Sequence, residues 1–106
     1  MTTISQGTNT VTVIDVFHVP AEKQQQLVEL IERTNEVVQR LPGFISANLH
    51  KSIDGTSVVN YMQWASRAAF EAMLADPVTR RAIGEALQMA SAEPKVYEVV
   101  RVIERG

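Results

Sequence analysis

Residues 42–64, PGFISANLHKSIDGTSVVNYMQW, decide how this chain folds. Phe44 to Ser52 and Thr56 to Trp64 both have strand composition and are joined at Ile53-Asp54-Gly55, the signature of a β-hairpin. Within the second run Asn60 and Trp64 interleave with apolar residues, and a polar group on a buried face suggests a pocket. Side chains alternate along a strand, so the loop determines which residues share a face. A two-residue turn at Asp54-Gly55 would pair Leu49 with Asn60. A three-residue loop, with Gly55 left-handed in a G1 bulge, would pair Asn48 with Asn60 and bring Phe44, Asn48 and His50 to the Asn60 side. We expect the three-residue loop. It leaves Ile45, Ala47, Leu49, Val59 and Tyr61 as one apolar face and gathers the polar groups under the helices.

Outward from the hairpin, Val11 to Val19 is β-branched and almost wholly apolar, which suggests a strand ended by Pro20. From Ala21 to Leu41, Leu27, Leu30, Ile31, Val37, Val38 and Leu41 form one helical stripe that Pro42-Gly43 stops. Ser66 can cap a short helix to about Ala75, and Asp76-Pro77 opens another to about Ala90. Residues 95–104, KVYEVVRVIE, alternate well enough for a last strand. The order β-α-β-β-α-β predicts an α+β, ferredoxin-like fold: a four-stranded antiparallel sheet with helices on one face. Residues 1–9 read as a frayed, flexible lead-in and residues 10–106 as one domain. The second sheet face would expose Val59 and Tyr61 on a monomer, so a homodimer formed sheet to sheet is expected.

Composition narrows the function. The chain has 106 residues, an apolar fraction of 45% and a net charge of −2. It lacks the basic excess that nucleic acid demands, so neither DNA nor RNA is expected. The absence of cysteine excludes disulfides, thiolate metal sites and a cysteine nucleophile, and fits a reducing cytoplasm. No run approaches the roughly 20 apolar residues that span a bilayer, and no signal-peptide core precedes the first strand. A soluble cytoplasmic protein is the expectation.

The polar candidates each carry two readings. Asn60 in an apolar strand is either locked by a structural partner or presented to a ligand. Trp64 is a core residue or a functional one. Asn60 and Trp64 lie about 13 Å apart along an extended strand, so they cannot grip one atom but can line two ends of a cavity holding a flat polycyclic molecule. Met62 shares their face. His50 and His18 stand on different strands without metal-ligand spacing, so no metal is expected. Arg80 and Arg81 read as a solvated helix face or a substrate clamp. No glycine-rich phosphate loop, GxSxG elbow or flavin fingerprint is present.

The stretch PGFISANLHKSIDGTSVVNYMQWAS, extended by the DP-initiated helix and the last strand, resembles the antibiotic biosynthesis monooxygenase family, especially its small anthrone oxygenases. The resemblance implies a dimeric α+β barrel with a pocket between sheet and helices in each subunit. It implies oxidation of an anthrone-like polycyclic phenol to a quinone by O₂, with no metal, flavin or haem. On this resemblance Asn60 and Trp64 are the catalytic pair, while His50, Met62 and Phe70 line the substrate. Phe70 stands where those oxygenases carry a tyrosine, which removes a hydroxyl. Haem-degrading relatives use a helix tryptophan and histidine, whereas this chain has Met73 and no histidine from Arg67 to Glu93. A polyketide cyclase and a non-catalytic binding dimer for aromatic polyketides are the alternatives.

Overall fold

A computed structural model describes residues 9–106, so all but Asn9 of the expected lead-in lies outside the described residues. The elements are β1 (Val11–His18), a 3₁₀ turn (Ala21–Lys23), α1 (Gln24–Val38), β2 (Phe44–Lys51), β3 (Ser57–Trp64), α2 (Arg67–Ala75), α3 (Pro77–Met89) and β4 (Ser91–Tyr97). The strands form one antiparallel sheet in the order β2-β3-β1-β4, the predicted ferredoxin-like α+β topology. Two caps divide the second helical region as their chemistry requires. Ser66 Oγ accepts from the Ala69 N–H at 3.1 Å, and Asp76 Oδ1 accepts from the Val78 N–H at 2.9 Å beside Pro77.

The hairpin register differs from the expected one. Gly55 is left-handed, with φ of 84°, but the loop has four residues, Ile53 to Thr56. Ser52 closes on Ser57 through an N–H···O bond of 2.9 Å. Asp54 causes this. Its Oδ1 accepts from Ser52 Oγ, Thr56 Oγ1 and the Thr56 N–H at 2.7, 2.8 and 3.1 Å, and these bonds hold its carboxyl below the usual carboxylate pKa. Thr56 therefore leaves the ladder, and its carbonyl accepts the Val19 N–H instead. Gln24 Nε2, from the start of α1, donates to the carbonyls of both Ser52 and Ser57 at 3.0 Å and locks the pair.

Leu49 consequently faces Asn60, and His50 faces Val59. Ala47 and Leu49 turn toward the helices, where each packs against a core cluster, while Asn48 and His50 go to the opposite face. An irregularity between Phe44 and Ser46 then returns Phe44 to the helix side, opposite Trp64.

The last strand also starts earlier than expected and stops at Tyr97 rather than running through residues 95–104. Tyr97 pairs with Thr12 near the beginning of β1, so little strand is left to pair beyond it. Pro94 fits within β4 because β4 is a sheet edge, where a missing N–H costs one outward bond at most. Residues 97–102 lie beside Thr12, Ile14 and Tyr61 on the face away from the helices.

Candidate active site

The core between sheet and helices falls into two clusters. Phe17, Leu27, Leu30, Val58 and Ala86 anchor one, and Val13, Val38, Met62, Trp64, Phe70 and Met73 form the other. Between them runs a polar row. On the floor Asp15 of β1 and Asn60 of β3 are direct cross-strand partners, which sets their Cβ atoms about 5 Å apart on one face. Above them α1 presents Thr34 and Asn35, and α3 presents Thr79. These residues line a cavity of about 90 Å³ whose remaining wall is apolar, including Met62, Phe70, Met73 and Ile83. Met62 and Met73 have unbranched side chains with several rotatable bonds, so this wall can repack around a larger flat molecule.

Asn60 is held by a reciprocal amide pair. Asn35 Nδ2 donates to Asn60 Oδ1 at 3.1 Å, and Asn60 Nδ2 donates to Asn35 Oδ1 at 3.2 Å. This satisfies one donor and one acceptor site on each amide and leaves each a second N–H and lone pair. The two sequence readings of Asn60 are thus compatible: a structural partner fixes the amide, and the fixed amide borders the cavity. Asn35 was not singled out from the sequence. The signal was a gap in the α1 stripe, where positions 34 and 35, between Ile31 and Val38, carry Thr and Asn in place of apolar side chains. Val37, assigned to that stripe, is 42% exposed.

Asp15 was missed as well. It is the one acid in the apolar run VTVIDVFHV and points inward with Val13 and Phe17. Its Oδ1 is buried without a hydrogen-bond partner among the described residues. Burial raises its pKa from 3.8 to about 6, because an enclosed carboxylate loses hydration that its neutral form needs less. Between those two pH values the folded protein keeps a proton that the unfolded chain has released, so stability falls as pH rises through this window and levels off above it. Asp15 is only partly shielded from water, and screening limits the effect to about 1 kcal/mol. Asp15→Asn should remove this slope and melt higher than the parent at pH 7.5. Parallel melting-temperature profiles of the two proteins from pH 4 to 8 would contradict it.

The other candidates separate. Met62 and Phe70 line the cavity, and Arg80 and Arg81 are exposed on α3. Trp64 is completely buried behind Met62, Phe70 and Met73 and does not border the cavity. Its ring meets Phe44 edge-on at 5.5 Å, and its Nε1–H has no partner among the described residues. His50 is exposed on the opposite sheet face. The expectation that it joins Asn60 fails because the Asp54-braced loop shifts β2 by one residue. Among the described residues no group of three or more His, Cys, Asp or Glu side chains could hold a metal ion, and no helix is long and apolar enough to cross a membrane.

Comparison with known proteins agrees with this architecture. Residues 10–85 match the family model for antibiotic biosynthesis monooxygenase. Over 78 residues the chain is 47% identical to tetracenomycin-F1 monooxygenase of Streptomyces glaucescens, a match spanning 73% of this chain and 70% of that protein. SnoaB, a cofactor-independent oxygenase from Streptomyces nogalater, has the same fold, with a TM-score of 0.80 and 22% identity over 92% of this chain and 99% of its own. So does Rv0793 from Mycobacterium tuberculosis, with a TM-score of 0.80 and 18% identity over 90% of this chain and 99% of its own. Matched over most of its length by both family model and sequence, the chain belongs to the antibiotic biosynthesis monooxygenase family.

Proposed function

We propose that this monooxygenase oxidises a polycyclic phenolic, anthrone-like substrate to a quinone with O₂, without a metal, flavin or haem. The observation that carries the reading is the polar row of Asp15 and Asn60 on the sheet floor, with Asn35 of α1 above it, in a largely apolar cavity. Apolar walls suit fused rings, and a few fixed polar groups orient them. The names of the 47%-identical relative and of SnoaB, a monooxygenase and a cofactor-independent oxygenase, support the same chemistry.

In the overall reaction a ring CH₂ and O₂ become a ring C=O and water. Loss of a proton from the CH₂ leaves a carbanion stabilised by the aromatic rings and the opposite carbonyl, and this anion supplies the electrons that O₂ accepts. The protein has to bind, orient and manage protons. Asn60 is assigned to the substrate oxygen on which negative charge gathers. Trp64 is assigned a second donor role: its unpartnered Nε1–H lies behind the adaptable methionine wall, available to an oxygen that displaces it.

Oxygen-electrode recordings with anthrone test the reading. The chelator-treated protein should consume one O₂ per quinone formed, well above the uncatalysed rate. Turnover of a linear polyketide without O₂ would favour a cyclase instead. Uptake at the uncatalysed rate despite tight binding would favour a carrier.

The assembly is proposed to be a dimer through the outer sheet face, where Ile14, Val16, Val59 and Tyr61 remain partly exposed. Sedimentation equilibrium should give twice the chain mass, and a monomer at micromolar concentration would contradict it.

A further inference from the structure

The cavity contains one ionisable group to which the reaction above gives no task. Asp15 has Asn60 opposite it on β3 and Pro94 opposite it on β4. Among the cavity-lining residues it alone carries a titratable side chain. What faces it is uncharged: Asn60 and Met62 from β3, Thr34 and Asn35 from α1, Thr79 and Ile83 from α3. Charges on those elements lie elsewhere. Glu29, Glu32, Arg33 and Glu36 of α1 and Arg80, Arg81 and Glu85 of α3 are exposed. Arg67 and Glu71 of α2 pair with each other at the surface, and Glu93 and Lys95 flank Pro94 on the outer sheet face. A carboxylate with an enclosed, unpartnered oxygen weakens a core that valine would fill better. Its presence there calls for a use.

We propose that Asp15 is the general base of the reaction, taking the proton from the substrate's ring CH₂ while Asn60 beside it holds the opposite carbonyl oxygen. The proposal rests on the oxygenase reading and assigns its first step. In an anthrone the CH₂ carbon and the carbonyl lie at opposite corners of one ring, a separation that two side chains rooted about 5 Å apart can span. The C–H bond breaks, the proton moves to Asp15 Oδ1, and the electron pair stays in the ring system as an enolate. O₂ then takes those electrons as a C–O bond forms, and Asp15 returns the proton to the resulting peroxide. Removal of the second hydrogen from the same carbon, with cleavage of the O–O bond, yields the carbonyl and water. A carboxylate that titrates near pH 6 is ionised at neutral pH yet more basic than an ordinary aspartate, which suits both halves of this task.

Two measurements on purified protein with anthrone test the assignment. In air, wild-type kcat/KM for oxygen uptake should rise through about pH 6, and Asp15→Asn should lower kcat by about 10²–10⁴-fold with KM little changed and that pH limb lost. Without O₂, in D₂O, wild type should exchange the ring CH₂ hydrogens for deuterium faster than buffer, and Asp15→Asn should not. Asp15→Glu, which retains a carboxylate, should recover part of both activities. If wild type consumes O₂ but Asp15→Asn matches it in rate, pH profile and exchange, the base is overturned and the oxygenase stands. If wild type catalyses exchange that depends on Asp15 yet consumes no O₂, the base stands and the oxygenase is overturned.

Discussion

Asn60→Ala is expected to lower kcat for oxygen uptake by about 10²–10³-fold, the usual result of deleting one donor aimed at developing negative charge. The substitution leaves the apolar walls in place, so KM should change far less than kcat. It also strips Asn35 of its reciprocal partner, and an amide left unpaired in a cavity wall costs about 1–3 kcal/mol. A melting curve separates that structural effect from the catalytic one. Asn35→Ala gives the complementary case. It removes the clamp but not the amide at the reacting oxygen, so its kcat should fall less than that of Asn60→Ala while its stability falls by a similar amount. Steady-state kinetics on the two variants decide the matter, and a kcat for Asn60→Ala within threefold of wild type would remove Asn60 from the chemistry.

Gly43→Ala is expected to cost more stability than the same substitution at any other loop glycine among the described residues. Gly43 sits at φ of 84°, where a side chain costs about 1–2 kcal/mol. A Cβ there would also collide with the Ala69 Cβ on α2. The collision cannot be relieved locally, since the Gly43 carbonyl accepts the Ala65 N–H at 2.7 Å and ties the entrance of β2 to the start of α2. Overpacking adds about 1–3 kcal/mol, for a total of about 2–5 kcal/mol. Gly55→Ala is the control. Gly55 has the same φ, but its added Cβ would make only an ordinary 3.5 Å contact with Ala21, so only the conformational cost of about 1–2 kcal/mol applies. Urea unfolding of the pair should show the larger loss at Gly43, and equal losses would refute the close approach of α2.

The sequence made the topology legible because its signals were local. Proline and glycine after α1, the Ser66 and Asp76 caps and two strand-forming runs around Asp54-Gly55 each act within a few residues. The register was not local. It depended on whether Thr56 stayed in the ladder: the Asp54 bonds within the loop act over two residues, but the lock on the Ser52–Ser57 pair comes from Gln24, 28 residues away. One residue of difference exchanged His50 for Leu49 on the cavity side. Asp15 and Asn35 were visible as polar interruptions in apolar patterns, but only the pairing of β1 with β3, and of α1 with the sheet, brought them beside Asn60. The C-terminal run reads as a strand by alternation alone. Its end is fixed instead by where β1 begins.

A crystal structure of the protein with a non-oxidisable polycyclic phenol, such as anthraquinone bearing ring hydroxyls, addresses the site most directly. The expected result is the fused rings lying between sheet and helices against Met62 and Phe70, with a ligand oxygen about 3 Å from Asn60 Nδ2 and Asp15 facing the carbon across the same ring. A ligand found on the outer sheet face beside His50, with this cavity closed and Asn60 engaged only by Asn35, would contradict it.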